Sequence, residues 1–308
     1  MSRISRYQES IEKFIKNKNI NNYFADEFVN NINNKLNNSD HLCGIILSTI
    51  FNHNTKKSNI KGHGYFLGIV IDICLIILDL DKTDTDLHIN LLTGLYKLLN
   101  ENIQILKTNA IDKINNISNK SYDYFNLHIY DILSSTKMQT KKMVKSDLLN
   151  LSSITNEMYK KISGMNRYVT DEFTEYVKKK YGTLGKLIVV LSWIMGGGSY
   201  DKKTITNLES IGEKFGMMYK ICVDFENVIK DINNTNQNVI KNTVFNFGVQ
   251  ESFALFMELK SSFYEESFKL EIYTHTMKEV LDELELKMDK CIENCKIDMK
   301  STYSSFSK

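Results

Sequence analysis

The chain has 308 residues, 42% of them hydrophobic and 25% charged, with a formal net charge of +2. That length supports a large core, and the balance excludes a disordered, polycationic or small disulfide-stapled protein. The composition is skewed: three Arg stand against 36 Lys, with three Ala and no Pro. Pro, Ala and most Arg codons are GC-rich, so an AT-rich genome is the simplest cause, of the kind found in a protist, some bacteria or a large DNA virus. Asn-rich stretches such as 30–38 then read as drift on exposed surface.

Apolar residues recur at helical spacing from the first residues onward. Helices are predicted at about 5–17, at 24–36 on the ladder Phe24, Phe28, Ile32 and Leu36, and at 41–52. They continue at 64–80, 88–108, 122–134, 137–163 and 171–195. A longer ladder, Ile205, Leu208, Ile211, Phe215, Met218, Cys222, Phe225 and Ile229, predicts one long helix, followed by helices at 239–270 and 276–297. Breaks fall where Asn, Ser, Gly or Thr cluster, at 52–59, 115–121, 196–199 and 233–238. No period-2 stretch with a hairpin turn stands out, and no low-complexity linker divides the chain. The expectation is an all-α fold, one domain over 1–308, built as a single large helical bundle.

The start, MSRISRYQESIEKF, carries no apolar h-region, so no signal peptide is expected. The most apolar stretches, 66–78 and 184–195, are interrupted by Asp72 and Lys186 and fall short of the roughly 20 residues a bilayer span needs. The five cysteines are scattered, which fits a reducing, cytoplasmic compartment, or a host cytoplasm or virion for a viral protein. Nucleic acid is not expected as a partner, since lysines such as Lys141, Lys142 and Lys145 are offset by acids. The six histidines form no HxxxH or HxxE pair, which argues against zinc.

Carboxylates carry the strongest chemical signal, because helical bundles build metal sites from acids projected by facing helices. Leu78-Asp79-Leu80-Asp81-Lys82-Thr83-Asp84-Thr85-Asp86 closes a very apolar helix and sets Asp81 and Asp84 three apart, on one helical face. Mg²⁺ takes oxygen ligands and keeps several waters, so two carboxylates and a substrate phosphate suffice to bind it. A second group, Val223-Asp224-Phe225-Glu226-Asn227, lies within the long helix. Both also read as solvated helix faces.

Over about 160–295 the chain resembles the trans-isoprenyl diphosphate synthases, the polyprenyl synthetase and terpene synthase fold. Asp171-Glu172-Phe173 and Lys180-Tyr181-Gly182-Thr183-Leu184 match an acidic-aromatic step followed by Lys-Thr-Gly-x-Leu, and the apolar run then leads to Gly196-Gly197-Gly198. Ile211-Gly212-Glu213-Lys214-Phe215-Gly216-Met217-Met218-Tyr219-Lys220-Ile221-Cys222-Val223-Asp224 resembles Leu-Gly-x-x-Phe-Gly-x-x-Phe-Gln-Ile-x-Asp-Asp, and 276–290 fits the closing helices. The resemblance implies a cavity in which two DDxxD motifs hold Mg²⁺ on an allylic diphosphate, so that pyrophosphate leaves an allylic cation. Carried over, candidate metal ligands are Asp81 and Asp84, then Asp224, with Asn227 and Asp231 from the terpene-synthase variant of the motif. Candidate diphosphate ligands are Lys180 and Lys220.

The departures are specific. Leu80 and Val223 stand at the leading metal positions, the basic segment upstream reads Ser39-Asp40-His41-Leu42-Cys43, and the Arg pair after the first motif is absent. Codon drift accounts for Arg becoming Lys but not for Asp becoming Val or Leu. The resemblance therefore implies a catalytically degenerate member, kept as a homodimer or as the non-catalytic partner of another synthase-like subunit. The alternative is an active Mg²⁺-dependent prenyltransferase or terpene synthase that binds an isoprenoid diphosphate with an altered ligand set.

Overall fold

A computed structural model describes residues 2–54, 63–79, 85–107, 116–134, 137–143, 165–233 and 241–294. The described residues are almost entirely helical, so the fold is all-α. Contacts divide the chain into two compact units: 1–134 with 183–212 and 267–280, and 135–182 with 213–266 and 281–308.

The first unit begins with α1 (Arg3–Lys18), capped by the Ser2 hydroxyl, which accepts from the Ser5 N–H at 3.1 Å. Its Ile4, Ile11 and Ile15 form the buried stripe of an amphipathic helix. A 3₁₀ turn (Ile20–Tyr23) leads to α2 (Asp26–Asn37), whose first-turn Asp26 and Glu27 complement the helix dipole. Then follow α3 (Leu42–Asn54), α4 (His63–Asp79), α5 (Thr85–Lys107), α6 (Ile117–Leu133) and, later in the chain, α8 (Thr183–Met195).

Helices α3, α4 and α8 are apolar around nearly their whole circumference, so they form the centre, with α3 packed on both α4 and α8. The α3 and α4 backbones approach closely at two glycines: a Cβ on Gly44 would lie 3.4 Å from Gly68 Cα. Phe24 is seated flat on Gly94 of α5, where a Cβ would stand 2.1 Å from its ring. Among the described residues, no helix is long and apolar enough to cross a membrane.

The second unit opens with a feature that the periodicity conceals. Residues 140–142 are not part of a helix over 137–163; they form strand β1 (Thr140–Lys142), which pairs antiparallel with β2 (Asn166–Tyr168), Lys141 opposite Arg167. Strands of three residues are too short to show alternation, so the predicted helix over 137–163 is corrected at these residues. Next come α7 (Thr170–Val177) and a π turn (Lys178–Gly182), which breaks the predicted 171–195 helix ahead of α8. Helix α9 (Lys202–Asn233) is the long helix of the extended ladder, its residues divided between the units after Gly212.

The predicted helix at 239–270 is likewise two: α10 (Thr243–Phe247) and α11 (Val249–Lys269), separated by Gly248 at φ +102°, a conformation that side-chain-bearing residues rarely adopt. Helix α12 (His275–Asn294) closes the described chain. The core here gathers Phe173, Val177 and Met217, with Tyr168, Tyr176 and Phe247 packed against them.

Candidate functional site

The sequence-predicted residues that fall within the described chain all belong to the second unit. Lys180 lies in the π turn and is buried; single π turns inside helices recur at functional sites. Its neighbour Tyr181 presents its ring to Lys220, whose ammonium stands 4.9 Å from the ring centroid. Lys220 and Asp224 are one turn apart on α9 and form an ion pair with Nζ 2.6 Å from Oδ1, at 6% and 3% exposure. Asp81 and Asp84 lie outside the described residues.

The Asp224 carboxylate is engaged at both oxygens. Oδ1 meets Lys220, and Oδ2 accepts the Thr243 N–H at 2.7 Å, one of the unsatisfied donors at the start of α10. Lys220 donates a further hydrogen bond to the Lys241 carbonyl at 3.1 Å. Burial works against the Lys220 ammonium, but the charge of Asp224 and the phenols of Tyr181 and Tyr176 outweigh it, holding its pKa above the ordinary lysine value. Burial pushes the Asp224 carboxyl up, opposed by Lys220 and the Thr243 donors. With an ammonium and a backbone donor both in contact, the pair is ionic.

From this pair a polar network runs through residues that the sequence did not single out. Asn242 caps α10, its Oδ1 accepting from the Val244 N–H at 2.9 Å. Its Nδ2 donates to the Asp224 carbonyl and to Asp231 Oδ2, each at 2.8 Å. Asn246 donates to the Asn242 carbonyl at 2.7 Å and accepts the Tyr168 N–H at 2.8 Å. Arg167 Nη1 reaches the Asn246 carbonyl at 3.2 Å, which ties strand β2 into the same network. Asn242 and Asn246 are fully buried, unlike the asparagines of 30–38, which lie on the surface as expected, and only their place at the start of and within the apolar run Thr243-Val244-Phe245-Asn246-Phe247 hints at it.

Neither the family models nor the curated proteins give a match to this chain. The resemblance to isoprenyl synthases therefore stands on its motif residues, and the geometry decides what those residues can do.

Mg²⁺ needs oxygen lone pairs directed at it, with carboxylates supplying charge. Asp224 has given both oxygens to a cation and a backbone donor, so neither is directed at a metal. Asn227 donates Nδ2 to the Val223 carbonyl of its own helix at 2.9 Å, and Asp231 receives Asn242. Among the described residues no group of three or more His, Cys, Asp or Glu is placed to hold a metal. As arranged, Asp224, Asn227 and Asp231 do not fit Mg²⁺. Lys220 and Tyr181 are brought together as a buried cation and aromatic pair, with Lys220 neutralised by Asp224 and Lys180 buried beside Tyr181 in the chain.

The first unit holds a second buried pair. His41, at φ +55° just before α3, places Nδ1 2.7 Å from Asp72 Oδ2 of α4, both nearly sealed from solvent. Burial lowers the His41 pKa, and the hydrogen bond and charge of Asp72 more than restore it, so it lies above the ordinary histidine value. A His–Asp pair can orient a general base, but that requires a nucleophile on the other ring nitrogen, and His41 Nε2 has no hydrogen-bond partner. Asp72 is the residue that interrupts the apolar 66–78 run, so the sequence did carry a signal for it.

Proposed function

We propose that this chain is a catalytically degenerate protein of the isoprenoid synthase type, retained as a structural or regulatory subunit, in a homodimer or beside another synthase-like chain. One observation carries the reading: the only aspartate left in the second Asp motif, Asp224, is held by Lys220 and by the start of α10. A carboxylate used this way stabilises the fold and is withdrawn from metal chemistry. Leu80 and Val223 at the leading motif positions support the same reading, because neither has a ligand atom.

The test is turnover. Full-length protein with Mg²⁺ and dimethylallyl, geranyl or farnesyl diphosphate, with and without isopentenyl diphosphate, is expected to release no pyrophosphate above the uncatalysed rate. Release on the order of 1 s⁻¹ would overturn the proposal. Loss of that turnover in Asp81→Asn/Asp84→Asn would then favour an active enzyme with an altered ligand set. Sedimentation of the protein alone, then mixed with an active synthase, reads out the assembly half of the proposal.

A further inference from the structure

A pocket of about 300 Å³ in the first unit is lined by Arg3, Arg6, Tyr7, Ser10, Tyr65 and Thr276. Residues 3, 6, 7 and 10 share one face of α1 by their spacing of three and four. Tyr65 comes from α4 and is braced by the Phe14 ring 6.2 Å away, while Thr276 is on α12.

Two of the three arginines of the whole chain stand in this one pocket. In a composition with 36 lysines nearly every cationic position is Lys, so a pair of Arg in one pocket points to a geometry that Lys cannot supply. That geometry is the planar fork that grips a phosphate or carboxylate through two parallel hydrogen bonds.

The pocket's charges are unequally spent. The Arg3 backbone N–H donates to Glu279 Oε2 at 3.2 Å, and its Nε lies 3.8 Å from Oε1, a loose pair that leaves the two terminal nitrogens unused. Arg6 has no acid partner among the described residues; its backbone N–H donates to the Ser2 carbonyl at 3.4 Å and its carbonyl accepts the Ser10 hydroxyl at 2.9 Å, contacts that leave the guanidinium uninvolved. Glu279 offsets one positive charge and leaves one in excess, beside the hydroxyls of Tyr7, Tyr65 and Thr276.

We infer that this pocket binds the phosphoryl dianion of a small phosphomonoester, with Arg6 as its bidentate anchor, Arg3 as the second cation and the hydroxyls as neutral donors. A carboxylate would satisfy Arg6 alone; a dianion uses both cations and overcomes the Glu279 charge. The same headgroup chemistry exists in soluble esters and in phospholipids. The inference is independent of the reading of Asp224, which belongs to the other unit.

Isothermal titration of the full chain with inorganic phosphate and with glycerol 3-phosphate is the test. Saturable one-to-one binding is expected, tighter for the ester, and competitive between the two. Arg6→Lys keeps the charge and loses the fork, so it should weaken binding by about tenfold or more. Lys13→Gln, which removes an exposed charge from the same helix, should stay within about twofold. Glu279→Gln should tighten binding. No saturable binding at about 10 mM ligand, full affinity in Arg6→Lys, or equal losses in Arg6→Lys and Lys13→Gln would each overturn the inference. Vesicles of phosphatidylcholine with and without phosphatidylinositol 4-phosphate identify the source: binding that needs the phosphoinositide and is competed by glycerol 3-phosphate assigns a lipid headgroup, and binding of soluble esters alone assigns a metabolite.

Discussion

Lys220–Asp224 and His41–Asp72 each bury a charge pair among apolar helices, yet their surroundings treat the charges differently. Asp224 has a cation on one oxygen and a backbone N–H on the other, and Lys220 adds a carbonyl and an aromatic face. In the first unit the pair is served more thinly: Asp72 meets His41, with Ser39 also favouring its carboxylate, while Asp72 Oδ1 and His41 Nε2 are both buried without a hydrogen-bond partner. Taking charges out of water costs several kcal/mol per ion, and only further hydrogen bonds offset it. The satisfied pair thus acts as a fixed joint for α9, α10 and β2. The under-satisfied pair is marginal and tied to pH.

Removing half of the satisfied pair should give the largest effect. Asp224→Ala leaves the Lys220 ammonium buried without its acid and the Thr243 N–H without its acceptor, and should destabilise by about 3–5 kcal/mol in urea unfolding. Lys220→Met/Asp224→Leu should recover most of that loss. Wild-type stability in Asp224→Ala would erase the distinction between the two pairs.

Asp72→Asn should cost less, about 1–3 kcal/mol, and the penalty should depend on pH. His41 in the folded protein has a raised pKa, so its contribution is complete below the unfolded value near 6.5 and fades as pH rises through the folded value. Without Asp72, burial pushes the His41 pKa down, opposed only by the charges of Asp40 and Glu12. The destabilisation measured at pH 6 should therefore exceed that at pH 9; a flat profile would show that the pair does not titrate with folding.

Exposure of the partners sharpens the comparison further. Lys260 is nearly buried, but it pairs with Asp282 and Glu285, which reach solvent. Lys260→Met should cost under about 1 kcal/mol, because the orphaned acids keep their water. Smallest of all is Glu101→Gln. Glu101 bonds Lys18 and the Tyr23 hydroxyl and is over a third exposed. Burial is the largest single influence and raises its pKa, but the two hydrogen bonds and the Lys18 charge together outweigh it, so its small contribution is present above about pH 4.5 and lost as pH falls through the depressed value. The shift in Tm between variant and wild type should shrink as pH falls below about 4.5.

The helices were legible because burying one stripe forces apolar residues to recur every three or four positions, as in Ile4, Ile11 and Ile15 or Leu91, Leu95 and Leu98. Their interruptions were not. A π turn at Lys178–Gly182 leaves the apolar pattern nearly in phase, and Gly248 breaks a helix without a polar gap around it. Lys180, Lys220 and Asp224 were found through motif resemblance, but their pairing depends on a segment some 20 residues further on. Asn242, Thr243 and Asn246 are ordinary letters in an Asn-rich chain. Burial gives them their meaning, and burial of a polar residue is what a linear pattern shows least.

Asn242 also bears on how long the folded molecule lasts. Asparagine ages when the next residue's backbone nitrogen attacks its side-chain amide, closing a succinimide that opens to aspartate. Here that nitrogen belongs to Thr243, and its N–H is held by Asp224 Oδ2 at 2.7 Å while the Asn242 amide is pinned by Asp231. The ion pair that holds the helices in place therefore also withholds the nucleophile. In a chain so rich in asparagine, the residue whose conversion would set a new carboxylate against Asp231 is the one the fold protects from that chemistry.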